Sequence, residues 1–205
     1  MTTLIIARHG NTFAKGETPT RVGGRTDLPL VDTGRTQAEK IGAYINEHRL
    51  IPDVVYASHL KRTIETAEIA IKASGFRNPI FQLNIFNEID YGPDENKPED
   101  EVIARIGAQA ITDWNEKATV PDGWQVAPDE IIKNWHDFAD QIRAHDDNET
   151  VLVVTSNGTA RFAPHITNDF DGFREKYDLK LSTGAMGILK FDDNRWTVQD
   201  WNIKP

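Results

Sequence analysis

The chain contains no cysteine, so a disulfide framework, a thiolate nucleophile and a thiolate metal site are all excluded, and a reducing compartment is permitted. It also lacks long apolar runs. The N-terminal one, Leu4 to Ala7 with a flanking threonine, stops at Arg8, without the charged start or longer apolar core of a signal peptide. No later segment approaches the roughly 18 uninterrupted apolar residues of a membrane span. A cytoplasmic protein with no membrane partner is therefore expected. Positive charge is in deficit as well: 23 Lys and Arg face 32 Asp and Glu, a formal net charge of −9. That argues against a nucleic-acid partner, which needs a basic face to neutralise phosphates. An anionic ligand would have to be drawn by a local cluster of cations rather than by the global field. Internal repeats and low-complexity segments are absent.

What remains is an ordinary globular composition, 39% hydrophobic and 27% charged over 205 residues, enough for one domain spanning 1–205. Short β-rich runs alternate with stretches of helical period, the pattern of an α/β layered fold with a largely parallel sheet. Thr3 to Ala7 reads as a buried strand and Gly34 to His48 as a helix capped by Asp32 or Thr33. Asp53 to Ala57 is a second strand, followed by a helix capped by Ser58 with Leu60, Ile64, Ala67 and Ile71 on one face. Pro79 to Leu83 is a candidate third strand. Residues 92–128, opened by the acidic GPDENKPED and carrying the turn Pro121-Asp122-Gly123, read as an excursion from the sheet with a helix near Asp100 to Lys117. Pro128 to His145 is helical in period and is ended by DDNE. Thr150 to Thr155 is the strongest strand, and Ala185 to Phe191 with Arg195 to Trp201 form a terminal hairpin.

Three strand ends deliver polar residues: Arg8-His9-Gly10, Ser58 to Arg62, and Ser156-Asn157-Gly158. In parallel α/β sheets the carboxyl ends of the strands form the ligand crevice, so these junctions can converge. An arginine beside His9 disfavours the imidazolium and leaves a ring nitrogen free to attack, while its guanidinium can fork onto phosphate oxygens. Arg62, in the first turn of its helix, adds a second fork near a helix N-terminus. Glu88, in FNEIDYG, can give a proton to a leaving oxygen if desolvated. Taken singly, each has a plainer reading: a surface Arg-His pair, a solvated helix arginine, one glutamate among 32 acidic residues.

In combination, LIIARHGNT, GGRTDLPLVDTGRTQAEKIGAYI, VYASHLKRTIETAEIA and NEIDYG resemble the histidine phosphatase (phosphoglycerate mutase-like) superfamily in order and spacing from residue 3 to about 92. VLVVTSNGTARF and the final strands are compatible with it. The resemblance implies a three-layer α/β sandwich, a mostly parallel central sheet with helices on both faces. It implies His9 as the nucleophile that becomes a phosphohistidine and Glu88 as the proton donor. Arg8 and Arg62 would bind phosphate, with Asn11, Ser156 and Asn157 as further phosphate-binding candidates. No metal or cofactor is implied, and the partner is a small phosphorylated substrate, hydrolysed as a phosphomonoester. The alternative is a non-catalytic phospho-ligand binding or regulatory module; a mutase is disfavoured because no extra loops for a bisphosphorylated intermediate are identifiable. Ser156 stands where the family carries its second histidine, and Lys15 where many relatives have asparagine. Lys15, Arg21 and Arg25, around the Gly16 to Gly24 loop, are substrate-loop candidates. That loop and the 92–128 excursion are expected over the site, with Trp114, Trp124 and Trp135 as candidate walls. His48, His59, His136, His145 and His165 match no motif position and are expected at the surface or at caps.

Overall fold

The computed structural model describes residues 1–145 and 149–205, the side chain of His145 excepted. Strand β1 (Thr2–Arg8) is covered on both faces and so reads as a continuous apolar run rather than an alternating one. In chain order follow α1 (Asp32–Glu47), β2 (Val54–Ala57), α2 (Lys61–Ala73), β3 (Ile80–Gln82), α3 (Glu99–Ile106), α4 (Ala108–Lys117) and α5 (Pro128–His145). The chain closes with β4 (Thr150–Thr155), the short α6 (Asn157–Ala160), α7 (Phe170–Lys176), β5 (Met186–Asp192) and β6 (Arg195–Ile203). The strands form one sheet in the order β3-β2-β4-β1-β5-β6. The first four are mutually parallel, β5 runs antiparallel to β1, and β6 runs antiparallel to β5.

Because side chains alternate across a strand, the sheet has two apolar faces. Ile5, Ala7, Leu152 and Val154 meet Ile41 and Ile45 of α1 and Ala67 and Ala70 of α2. Leu4, Ile6, Val151 and Val153 meet Phe86 and, from α5, Trp135, Phe138 and Ile142. Helices thus cover both faces, the three layers anticipated. The hairpin β5–β6 turns on Asp193 and Asn194, both at positive φ (48° and 60°), the two-residue geometry that matches strand twist.

Several local expectations need correction. Helix α1 starts at Asp32, with Val31 at the cap and no side-chain cap bond. Asp32 instead pairs with Arg35, and Thr33 accepts from Asn11. Helix α2 starts at Lys61, with Leu60 at the cap. Ser58 lies fully buried before it, its Oγ accepting from Leu60 N at 3.2 Å and lying 2.6 Å from Thr63 Oγ1. The helix expected over Asp100 to Lys117 is two helices broken at Gly107, whose φ of 83° no helix accommodates. The helix α7 and the 3-10 turn Ala163–Thr167 had no legible period. The DDNE stop of α5 falls on residues 146–148, outside the described ones. Among the described residues, no helix is long and apolar enough to cross a membrane.

Segment 92–127 supplies no strand to the sheet. It is fastened through Asp94, 2% exposed, which accepts from Arg105 Nε at 2.6 Å, from Arg105 Nη2, and from Trp124 Nε1 at 2.7 Å. Burial alone would raise the Asp94 carboxyl, but these bonds outweigh it and hold its pKa below the ordinary value. Asp94→Ala strands the buried Trp124 indole N–H and frees an Arg105 guanidinium that water can reach, and is expected to lower the unfolding free energy by about 2 kcal/mol. Urea denaturation checks this; a loss under about 1 kcal/mol would show the fastening to be dispensable.

Candidate active site

Strands β2, β4 and β1 are neighbours and parallel, so their carboxyl ends lie on one edge of the sheet, with Arg8 opposite Thr155 and Ala57 opposite Val154. His9 N–H bonds Thr155 O at 3.1 Å and Ser58 N–H bonds Val154 O at 3.3 Å. The first residues past each strand are thereby held at the crevice. The segment bearing Glu88 is tied to the same edge: Thr155 Oγ1 donates to Phe86 O at 2.7 Å and Thr159 Oγ1 to Asn87 O at 2.5 Å.

His9 is 5% exposed. Its Nδ1 lies 2.7 Å from Gly10 O, and a carbonyl can only accept, so Nδ1 carries the proton. Arg62 Nε donates to Nε2 at 3.2 Å, so Nε2 presents a lone pair. Burial first, then the Arg62 and Arg8 guanidiniums, push the imidazole pKa well below 6.5. Arg62 is itself fully buried, its other nitrogens donating to Thr26 O (2.7 Å), Gly23 O (3.2 Å) and Val22 O (3.5 Å). This loop is organised by Glu95, which accepts from Gly23 N, Arg25 N, Thr26 Oγ1 and Tyr91 N at 2.8–3.2 Å. Arg8 Nη1 donates to Leu181 O at 2.8 Å, while its buried Nε has no partner.

Glu88, 8% exposed, accepts from Ile89 N at 2.9 Å and Gly158 N at 3.1 Å. Position 158 must be glycine for this approach, since a Cβ there would sit 2.3 Å from Glu88 Oε1. Ser156 is completely buried with no partner for its Oγ, whereas Asn157 borders the crevice and uses Oδ1 to accept from Leu181 N at 2.9 Å. Asn11 also borders it, accepting from Thr183 Oγ1 at 2.5 Å.

The crevice opens into a cavity of about 560 Å³. Of the residues singled out in the sequence, Arg8, His9, Asn11, Arg21, Glu88, Trp114 and Asn157 line it. Arg62 is not among the lining residues and reaches the site through its bond to His9 Nε2. Lys15 faces a separate shallow depression with Val31 and Arg35, and Arg25 is drawn off to Asp90 Oδ2 (3.0 Å) and Gly92 O (2.6 Å). Trp124 and Trp135 are not walls either: the first bonds Asp94, the second donates to Thr159 O at 3.0 Å within the core. His48 and His59 are exposed, His136 is half-buried, and His165 stacks on Phe170 at 3.6 Å. The expectation for His145 lies outside the described side chains. Tyr91, Lys180 and above all Arg161 line the cavity without having been found in the sequence. Arg161 stands four residues after Asn157, a spacing that puts both on one side of a helical turn and was the only available signal. Among the described residues, no three His, Cys, Asp or Glu side chains cluster as metal ligands.

The family model described as histidine phosphatase superfamily (branch 1) matches residues 4–204. The uncharacterized phosphatase PhoE of Bacillus subtilis (strain 168) is 27% identical over 203 residues, 99% of this chain and 95% of its own. Among solved structures, Bacillus stearothermophilus YhfR superposes with a TM-score of 0.78 at 24% identity, covering 99% of this chain and 98% of that one. A mycobacterial glucosyl-3-phosphoglycerate phosphatase in complex with VO3 gives 0.77 at 20%, with 98% of each chain covered. At those identities the two structures attest the fold alone.

The neutral, Nδ1-protonated His9 has a measurable signature. In a heteronuclear NMR titration His9 should show no midpoint near 6.5, and Arg62→Met should raise its midpoint while leaving it below 6.5, because burial, the larger cause, remains. Folded His9 takes up fewer protons than the unfolded chain as pH falls through 6.5, so stability should decline from there toward the lowered folded value. A wild-type midpoint at 6.5 would contradict the assignment.

Proposed function

Because the chain belongs to the histidine phosphatase superfamily, we propose that it hydrolyses a small phosphomonoester in two steps through a phosphohistidine on His9. The observation that carries this reading is the unprotonated Nε2 of His9, fixed by the Nδ1 contact with Gly10 O and set among buried guanidiniums at the cavity wall. An entering phosphoryl oxygen takes over the Arg62 N–H now given to Nε2, and the free Arg8 Nε supplies another donor. Nε2 attacks phosphorus as the bond to the ester oxygen breaks, and Glu88 gives that oxygen a proton. The ring turns cationic as it bonds to phosphorus, which strengthens the Nδ1–H bond to Gly10 O. Water then attacks the phosphohistidine and returns a proton to Glu88, releasing phosphate and neutral His9. The site binds and stabilises an equatorial array of oxygens by preorganised donors.

Ser156 stands for the family's second histidine, yet it does not border the cavity, so the Asn157 amide is the donor we assign to that role. Outright loss of that donor would forgo about 1.5–3 kcal/mol, on the order of ten- to a hundredfold in rate, and the neutral amide recovers part of it. The uncharged Ser156 is also the observation that favours a second reading, a phospho-ligand binding module without turnover.

Steady-state hydrolysis of phenyl phosphate, with folding checked by circular dichroism, separates these readings. His9→Ala should abolish turnover. Asn157→Asp, which keeps the acceptor for Leu181 N–H but removes the amide donor, should slow it by about tenfold or more. Turnover surviving in His9→Ala would refute the nucleophile. A silent wild type that still binds vanadate, with Ser156→His gaining turnover, would establish the binding module.

A further inference from the structure

Beyond the phosphoryl-handling residues, the cavity holds a buried charge that the reaction above does not use. Arg161 is 1% exposed yet lines the cavity. It makes no ion pair among the described residues. Its partners are neutral: Nη1 donates to Trp114 O at 2.6 Å, Nε lies 3.4 Å from Asn157 O, and the guanidinium rests 4.0 Å over the Trp114 ring. Keeping a guanidinium out of water without a carboxylate costs stability, and such a group in a cleft marks a functional position. Burial lowers its pKa to about 10, so it remains a cation at neutral pH. Its electrostatic neighbours are Tyr91, Glu88, Arg8 and Arg21, whereas those of His9 are Arg62 and Arg8. Arg161 and His9 line the same cavity and share no hydrogen bond.

Lys180 is a second cation on the cavity and is likewise without an ion pair among the described residues. It is placed by the next residue, Leu181, whose N–H and carbonyl are held by Asn157 and Arg8. Arg21, by contrast, is already neutralised by a two-pronged bond to Glu99. The cavity volume of about 560 Å³ falls within the roughly 300–1,000 Å³ of pockets that hold whole small molecules rather than a lone phosphate.

We propose that Arg161 and Lys180 form a second anion subsite, which takes a carboxylate or further phosphoryl group on the alcohol part of the substrate. The substrate class is then a phosphomonoester with a second negative charge, lying along the apolar wall of Trp114 and Tyr91. This rests on the phosphatase reading for its turnover, but not for its binding.

The test compares 4-carboxyphenyl phosphate with the neutral 4-(hydroxymethyl)phenyl phosphate, by kcat/KM and, independently, by calorimetric binding to His9→Ala protein. Wild type should prefer the carboxylate ester by about tenfold or more, the scale of a charge-assisted hydrogen bond. Arg161→Gln should bring the ratio of the two esters to within about threefold, and Arg161→Lys should restore part of it, as expected for a loss of charge. Lys180→Gln, at an exposed position that does not risk the fold, should lower the ratio by a smaller factor. 1,4-Phenylene bisphosphate tells a phosphoryl preference from a carboxylate one. No preference in wild type by either measurement, or a ratio unchanged in both Arg161→Gln and Lys180→Gln, overturns the subsite. If neither ester is turned over but the carboxylate ester binds His9→Ala protein about tenfold more tightly, the phosphatase reading fails and the subsite stands.

Discussion

A guanidinium with no exposed surface gives one N–H to an imidazole nitrogen 3.2 Å away, and a buried cation in that position obliges its surroundings to provide acceptors without quenching it. Carbonyls of Val22, Gly23 and Thr26 do so, which requires the 22–26 loop to fold inward with its backbone oxygens aimed at the sheet edge. That conformation leaves its own N–H groups needing a partner, and Glu95 takes four donors at once. Glu95 belongs to the segment fastened by Asp94 and Arg105. The state of one ring nitrogen is thus propagated outward through neutral carbonyls, then a carboxylate, then an ion pair of which only Asp94 is buried.

The electrostatics follow from the same constraint. The protein as a whole is acidic, with a net charge of −9, yet no ion pair among the described residues involves Arg8, Arg62 or Arg161. The carboxylates nearest to them are engaged by backbone N–H groups instead, Glu88 by Ile89 and Gly158, Glu95 by Gly23 and Arg25. Amide dipoles satisfy these acids without removing the arginines' charge. A positive field is preserved inside a negative molecule, the condition for drawing an anion to one place.

The parts legible in the sequence are those governed by short-range periodicity. Strands β1 and β4 are buried on both faces and read as continuous apolar runs, and the polar residues at their ends sit where a parallel sheet puts them. Helix starts were less legible, because α1 begins without a side-chain cap and the first N–H of α2, that of Lys61, is met by the distant Asp27. The burial of Arg161 had no mark beyond its spacing from Asn157, since the carbonyl and ring it rests against belong to Trp114, 47 residues earlier in the chain. Glu95 sits in an acidic, proline-bearing run that looks solvated until the loop it organises is folded against it. Arg25 and Lys15 lie off the cavity lining, which their sequence does not show: charge near the motif is easy to see, while the Asp90 carboxylate that engages Arg25 is 65 residues away.

Helices α3 and α4 add no strand to the sheet, although α4 furnishes Trp114 to the cavity and the carbonyl that holds Arg161. No strand register depends on their length, and the hydrogen bonds that set His9 and Glu88 arise from strand ends and short junctions. Exchange of residues in α4, or in α3 outside Arg105 and its bond to Asp94, would therefore alter the reach and lining of the cavity while leaving the sheet edge in place. Such a chain can change what it recognises faster than what it does, because natural variation acts on the two through separate stretches of sequence.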